Sequence, residues 1–341
     1  MRIGILTFHK AINYGAVMQC FALKQYLTGC GHQVDVIDYV PAYLRNQYSV
    51  FRKPRRGLFV NLNRLLLPFK FRGFYDAALN PFRFSGDWAE IDRYFDCVIC
   101  GGDQIWNGEI TKGVDWNYYA GELKDVRKLA YAASMAETPF ASGQLQGLAE
   151  CLREFAGIGV RERFAAEQVA RFSLPAQIVI DPVFLFDFKG IGIEEPAVAE
   201  PYILTFFYQP TVKADRIIQE VKEKTGYKVM NIGICYQREA DRNVPGVTPL
   251  EWLGWIRNAS FVVTESFHCV SFSVMYQREF AYITRSNRNN RVLDLLASVG
   301  LSGRVCDDRL PDEGGIDYAG VGVRLGGMVA ESRAFLAGHL R

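Results

Sequence analysis

The stretch VVTESFHCVSFSV, residues 262–274, decides the fold. The apolar run Phe261-Val262-Val263 stops at the small polar residues Thr264-Glu265-Ser266, and a helix-like apolar sequence begins at once. A strand that turns directly into a helix is the building unit of a parallel α/β sheet. It also gathers backbone N–H groups at one point, which attracts phosphate or carboxylate. His268 stands at that point, one of four histidines among 341 residues. It reads either as a buried histidine at the start of its own helix or as an acid–base group beside an anion.

The same alternation extends in both directions. Downstream, FAYIT (280–284) reads as a strand, NRVLDLLASV (290–299) as a helix, and 322–340 as a last helix packing back on the body. Upstream lie the strand YILTFFY (202–208), a helix at 213–225, the strand YKVMNIGI (227–234) and the helix PLEWLGWIRN (249–258). Before them, 187–201 is rich in Gly, Pro and Glu and reads as a linker. The N-terminal half opens with a βαβ unit: strand 2–8, helix 16–30, strand 33–39. Strands follow at 96–100, 128–133, 157–160 and 177–181, with helices near 140–155 and 162–171. These elements predict two Rossmann-like doubly wound α/β domains, residues 1–190 and 200–320, with 321–341 as the returning helix. The loops HKAINYGA, GGDQIWN, VRE and ESFH all follow strands, so topology predicts that they converge on a cleft. The first βα turn lacks GxGxxG, so no dinucleotide fingerprint is present.

Charge is nearly balanced, 39 basic against 37 acidic residues, which excludes a nucleic-acid binder relying on overall basicity. The eight cysteines are scattered, and Cys97 and Cys100 fall on opposite faces of a strand, an arrangement that argues against a redox or zinc pair. Reduced cysteines and the absence of an opening signal peptide point to the cytoplasm. No histidine–carboxylate spacing suggests a metal, and no cofactor is expected.

One segment departs from the pattern. Between Tyr39 and Tyr75 there is no carboxylate, yet Arg45, Arg52, Lys53, Arg55, Arg56, Arg64, Lys70 and Arg72 occur, interleaved with Phe59, Leu65, Leu66, Leu67 and Phe71. The region 40–80 reads as a basic amphipathic insertion of the N-terminal domain. It suits peripheral contact with the inner face of an anionic membrane, or it caps the N-terminal core with a solvated basic face.

Taken in order, ILTFHKAINYGAVMQCFALKQYL, FDCVICGGDQIWN, LAYAASMA, GVRE, VIDPVFLF, VVTESFHCVSFSVMYQREF and NRVLDLLASVGL resemble the polysaccharide pyruvyl transferases from about residue 1 to 304. The resemblance implies a fold like that of the GT-B glycosyltransferases. It also implies transfer of a pyruvyl group from phosphoenolpyruvate to a glycan or lipid-linked sugar, commonly as a ketal across two hydroxyls. Two departures stand out: Cys269 replaces the glycine of the family's Ser-Phe-His-Gly turn, and Gly102 replaces the serine before Asp-Gln.

On that resemblance His268 is the general acid or phosphate contact. Arg161 contacts the donor carboxylate or phosphate, or else pairs with Glu162 or Glu167. Arg291, with Arg285, Arg288 and Ser266, falls to the donor. Asp103 orients or deprotonates an acceptor hydroxyl, or caps a turn. Asn13, Gly15, Gln104 and Trp106 are expected on the acceptor side, with Trp106 stacking on a sugar or packing in the core. Two other functions fit the same text: a nucleotide-sugar glycosyltransferase with Glu265 at the ribose, and a non-catalytic glycan-binding relative, which Cys269 favours.

Overall fold

The computed structural model describes residues 1–47, 57–209, 211–285, 289–307, 309–310 and 314–341. Arg52, Lys53, Arg55 and Arg56 of the basic segment, and Arg288, lie outside the described residues. The chain divides into two compact units: Met1–Gln47 with Tyr75–Asp187 and Leu325–Arg341, and Tyr48–Phe74 with Phe188–Arg324.

The first unit holds β1 (Arg2–Leu6), β2 (Gln33–Val36), β3 (Cys97–Gly101), β4 (Arg127–Ala133), β5 (Phe155–Val160) and β6 (Gln177–Ile178). They form one parallel sheet in the order β2-β1-β3-β4-β5-β6. Every residue of β3 is buried, as expected of a strand covered on both faces. The spatial order reverses beside β1, so β1 and β3 flank a crevice at their carboxyl ends. The strand expected at 177–181 shortens to two residues. Asp181 accepts the Val183 amide (3.1 Å) and Pro182 has no N–H for a ladder, so a 3-10 turn, Pro182–Leu185, starts there instead. The end of the helix Tyr318–His339 packs in this unit: Ser332 Oγ accepts the Ile180 amide (2.8 Å) and Arg333 donates to the Leu185 carbonyl (3.1 Å).

The second unit holds β7 (Tyr202–Phe206), β8 (Lys228–Asn231), β9 (Arg242–Asn243), β10 (Phe261–Thr264), β11 (Glu279–Ile283) and β12 (Val305–Cys306). Its sheet is parallel, in the order β12-β11-β10-β7-β8-β9. Renumbered within the unit, this is the dinucleotide-fold order, and it reverses between β7 and β10. The strand expected at 227–234 ends early because the Asn231 side chain accepts the Gly233 amide (3.1 Å), starting a turn. The helix Pro249–Asn258 carries a capping box, Thr248 with Glu251, and proline at its first position.

The stretch 187–201, read as a linker, is pinned to this unit. Glu195 pairs with Arg257 and Asn258, and a Cβ on Gly254 would come within 1.9 Å of the Glu194 carbonyl. The basic segment 40–80, read as one insertion of the N-terminal domain, is divided: its helix Leu58–Phe74 packs within the second unit. Asn63 at its centre is buried and accepts the Gly246 amide at 2.7 Å, and Phe59 meets the Tyr236 ring at 6.1 Å.

Candidate active site

In the second unit the polar groups gather where the strand order reverses. Thr264, the last residue of β10, donates to the Phe206 carbonyl of β7 (2.7 Å). Glu265 follows, and its Oε1 accepts the amides of Tyr208 (2.6 Å) and Gln209 (3.0 Å). Its Oε2 lies 3.6 Å from Arg285 Nε, and the Arg285 guanidinium sits 5.6 Å above the Tyr208 ring centroid. One carboxylate thus ties together the loops after β7, β10 and β11.

Ser266 caps the helix Phe267–Met275, accepting the Cys269 amide at 3.4 Å. His268 is the second residue of that helix and 6% exposed, its ring edge-on to Phe267 at 5.1 Å. The other face of this small cluster comes from Arg291, in the first turn of the helix Asn290–Val299. Its guanidinium lies 5.5 Å from the Phe267 ring centroid. Asn289 closes the intervening loop, accepting from the Arg285 amide (2.8 Å) and the Tyr282 hydroxyl (2.9 Å). The structure therefore brings Ser266, His268, Arg285 and Arg291 to the carboxyl ends of neighbouring strands. Two guanidinium groups and a helix N-terminus beside an imidazole make an environment that attracts an anion and can exchange a proton with it. Cys269 lies in the first turn of this helix with its side chain buried, and burial pushes the thiol up to about 12, against a hydrogen bond with Thr264 that pulls it down.

In the first unit Asn13 caps the helix Tyr14–Gly29, accepting the amides of Gly15 (3.0 Å) and Ala16 (3.3 Å). Gly101 ends β3 at φ +147° and Gly102 follows it at +90°. A Cβ at 102 would meet Gln19 Oε1 at 1.8 Å, so in this chain Gln19 fills the space that a serine side chain would need. Asp103 comes next, buried, with Arg161 Nη2 at 3.6 Å; Arg161 Nη1 reaches Asp181 Oδ2 at 2.5 Å and the Gly102 carbonyl at 3.2 Å. Burial alone would lower the Arg161 pKa, but Asp181, Asp103 and Glu162 outweigh it and raise it.

Several sequence expectations change here. For Arg161 the close contacts run to Asp181 and Asp103, and Glu162, one of the two ion-pair partners considered, adds to its electrostatics. Glu162 itself accepts the amides of Met135 (2.7 Å) and Ala136 (3.0 Å) and the Ser134 hydroxyl (3.1 Å), tying the end of β5 to the loop after β4. Of the two readings of Trp106, the structure gives packing in the core: it is 2% exposed, donates to the Tyr118 carbonyl (3.0 Å) and stacks on Tyr119. Gln104 is half-buried and accepts from Asn107 (2.9 Å). His9 is buried against Asp38, Nε2 to Oδ1 3.0 Å, with Lys10 on the same carboxylate. Asp181, Glu162, Tyr208 and Phe267 were missed as site residues. Only the Asp-Pro pair at 181–182 carried a local signal, that of a cap.

The fold is shared with a solved protein of very different sequence, and two others are similar more loosely. The S. aureus MnaA–UDP co-structure superposes with a TM-score of 0.51 at 8% identity, over 98% of this chain and 89% of that one. Spinosyn forosaminyltransferase SpnP gives 0.46 at 12% over 98% and 93%, and spinosyn rhamnosyltransferase SpnG 0.45 at 14% over 98% and 95%. The paired Rossmann-like units define an α/β protein of GT-B-like fold. A search of curated proteins finds no match. The polysaccharide pyruvyl transferase family profile matches residues 13–287, most of the chain and all the elements described above from Asn13 to Asn258 and His268. The chain belongs to the polysaccharide pyruvyl transferase family.

Proposed function

We propose that the protein transfers a pyruvyl group from phosphoenolpyruvate to two hydroxyls of a sugar in a cell-surface polysaccharide or its lipid-linked precursor, releasing phosphate. In this reaction a sugar hydroxyl adds to C2 of the enol phosphate while C3 gains a proton. Phosphate leaves with the C2–O electron pair through an oxocarbenium-like state, and a second hydroxyl closes the ketal and loses its proton. The donor carries a carboxylate and a phosphate, which calls for two cationic contacts and a proton source.

The observation that supports this reading is that Arg291 and His268 both pack on Phe267, while Arg285 lies over Tyr208 and beside Glu265, all at the strand-order reversal of the second unit. Arg285 and Arg291 hold the two anionic groups, the helix start at Ser266 steadies the departing phosphate, and His268 serves as the acid. Arg161 is assigned a different part from the one expected: its charge is already met by Asp181 and Asp103, so it positions Asp103, which takes the acceptor proton. Asn13, Gly15 and Gln104 shape the acceptor side of the first unit. A nucleotide-sugar donor is less well served, because the Glu265 carboxylate that would bind a ribose is taken by two amides and Arg285. Phosphate release from phosphoenolpyruvate against a panel of glycan acceptors, with mass analysis of the acceptor, tests the proposal. Release coupled to a pyruvylated acceptor is the expected result, and transfer of a sugar from a nucleotide donor would overturn it.

A further inference from the structure

The helix Leu58–Phe74 has two apolar faces, and its own unit covers one of them. Asn63, Leu67 and Phe71 are buried, whereas Leu58 is 86% exposed, Leu62 38%, Leu65 56% and Phe69 75%. At about 100° per residue the exposed four fall within about 60° of arc, opposite the buried three. Four large apolar side chains on one stripe are a concentrated patch that ordinary surface composition does not produce. Arg72, exposed, lies about 20° from one edge of the stripe; Lys70, also exposed, lies about 80° beyond the other edge, and Arg64 further round on the Arg72 side.

We infer that this stripe docks the protein on an anionic lipid bilayer, with Leu58, Leu62, Leu65 and Phe69 in the acyl boundary and Lys70 and Arg72 among the headgroups. Charge decides between occupants. No carboxylate occurs from Tyr39 to Tyr75, so a second copy seated on the stripe would bring like charges together, while an anionic surface complements them. Leucine and phenylalanine on one face with lysine and arginine to its two sides is the composition of helices that lie in an interface. Among the described residues no helix is long and apolar enough to cross a membrane, so the contact is peripheral. The helix is anchored by Asn63 to the Gly233 and Ile234 carbonyls (both 3.4 Å), just past β8, at the carboxyl edge of the sheet that also carries His268. A lipid-linked acceptor would suit that edge. This corollary rests on the proposed reaction, whereas the docking does not.

Co-sedimentation of the full-length protein with phosphatidylcholine vesicles, with and without phosphatidylglycerol, tests the inference. Binding is expected only with phosphatidylglycerol, and it weakens as salt rises. The pair Leu65→Ser and Phe69→Ser lowers partitioning by about tenfold or more. The pair Lys70→Gln and Arg72→Gln, at exposed sites that leave folding intact, lowers it by about fivefold or more on the anionic vesicles. Absence of binding to phosphatidylglycerol vesicles, binding that ignores the charge pair, or a dimer in light scattering that the serine pair dissolves would each overturn it. Because vesicle binding is read without substrate, its failure is distinct from failure of the transferase reaction.

Discussion

Arg161 and Asp181 form a buried ion pair in the first unit, Nη1 to Oδ2 2.5 Å, with 2% and 0% of their side chains exposed. The two residues are twenty positions apart in sequence and arrive together because β5 and β6 are neighbours. Asp103 completes the cluster from the end of β3. Removing one partner of such a pair leaves the other desolvated. Asp181→Ala is therefore expected to destabilise the protein by about 3 kcal/mol or more in urea unfolding, while Asp181→Ala with Arg161→Met costs less than the two single changes combined. Equal stability of Asp181→Ala and the native protein would show that the pair is not formed in solution.

Glu265 holds three loops through one carboxylate. Glu265→Ala strands the Tyr208 and Gln209 amides without their acceptor. A loss of about 1–3 kcal/mol is expected, with a raised KM for the donor because Arg285 loses its partner. Glu265→Gln retains an oxygen and recovers part of the stability, measured by thermal unfolding.

For the donor site the expected kinetic split is specific. His268→Asn lowers kcat for phosphate release by about 10²–10⁴-fold, as loss of a general acid does. Arg291→Ala chiefly raises KM for phosphoenolpyruvate, since the guanidinium is assigned to binding. Unchanged kcat in His268→Asn with acceptor saturating would remove the imidazole from the chemistry.

Asp38 gives a pH signature. Burial tends to raise its pKa, but hydrogen bonds from His9 and Lys10 outweigh burial and hold the carboxyl down to about 2. The folded value lies below the unfolded value near 3.9, so the stabilisation is fully present above about pH 4. It fades as pH falls through about 2 and amounts to at most about 2.6 kcal/mol. Unfolding free energies measured between these limits should drop more steeply for the native protein than for Asp38→Asn.

The alternation of apolar strands with helices was legible because each parallel strand is buried on both faces and ends in small polar residues. The helices at 249–258 and 290–299 and the strand at 261–264 stand where the periodicity puts them. The two-residue strands β6, β9 and β12 carry too little pattern to be read as they stand. Site residues that act alone on a local turn, such as Ser266 and Asn13, could be read from cap chemistry. Asp181 as the partner of Arg161, and the seating of Trp106 on Tyr119, depend on which strands become neighbours, and no local window contains that. The helix Leu58–Phe74 was hidden for a similar reason: Pro68 interrupts its pattern, and its buried face is narrow.

Isothermal titration of the full-length protein with phosphoenolpyruvate and, separately, with nucleotide sugars addresses the donor site most directly. Binding of phosphoenolpyruvate that is lost in Arg285→Ala and Arg291→Ala together, with no binding of nucleotide sugars, is the predicted result. Tight binding of a nucleotide sugar with none of phosphoenolpyruvate would contradict it.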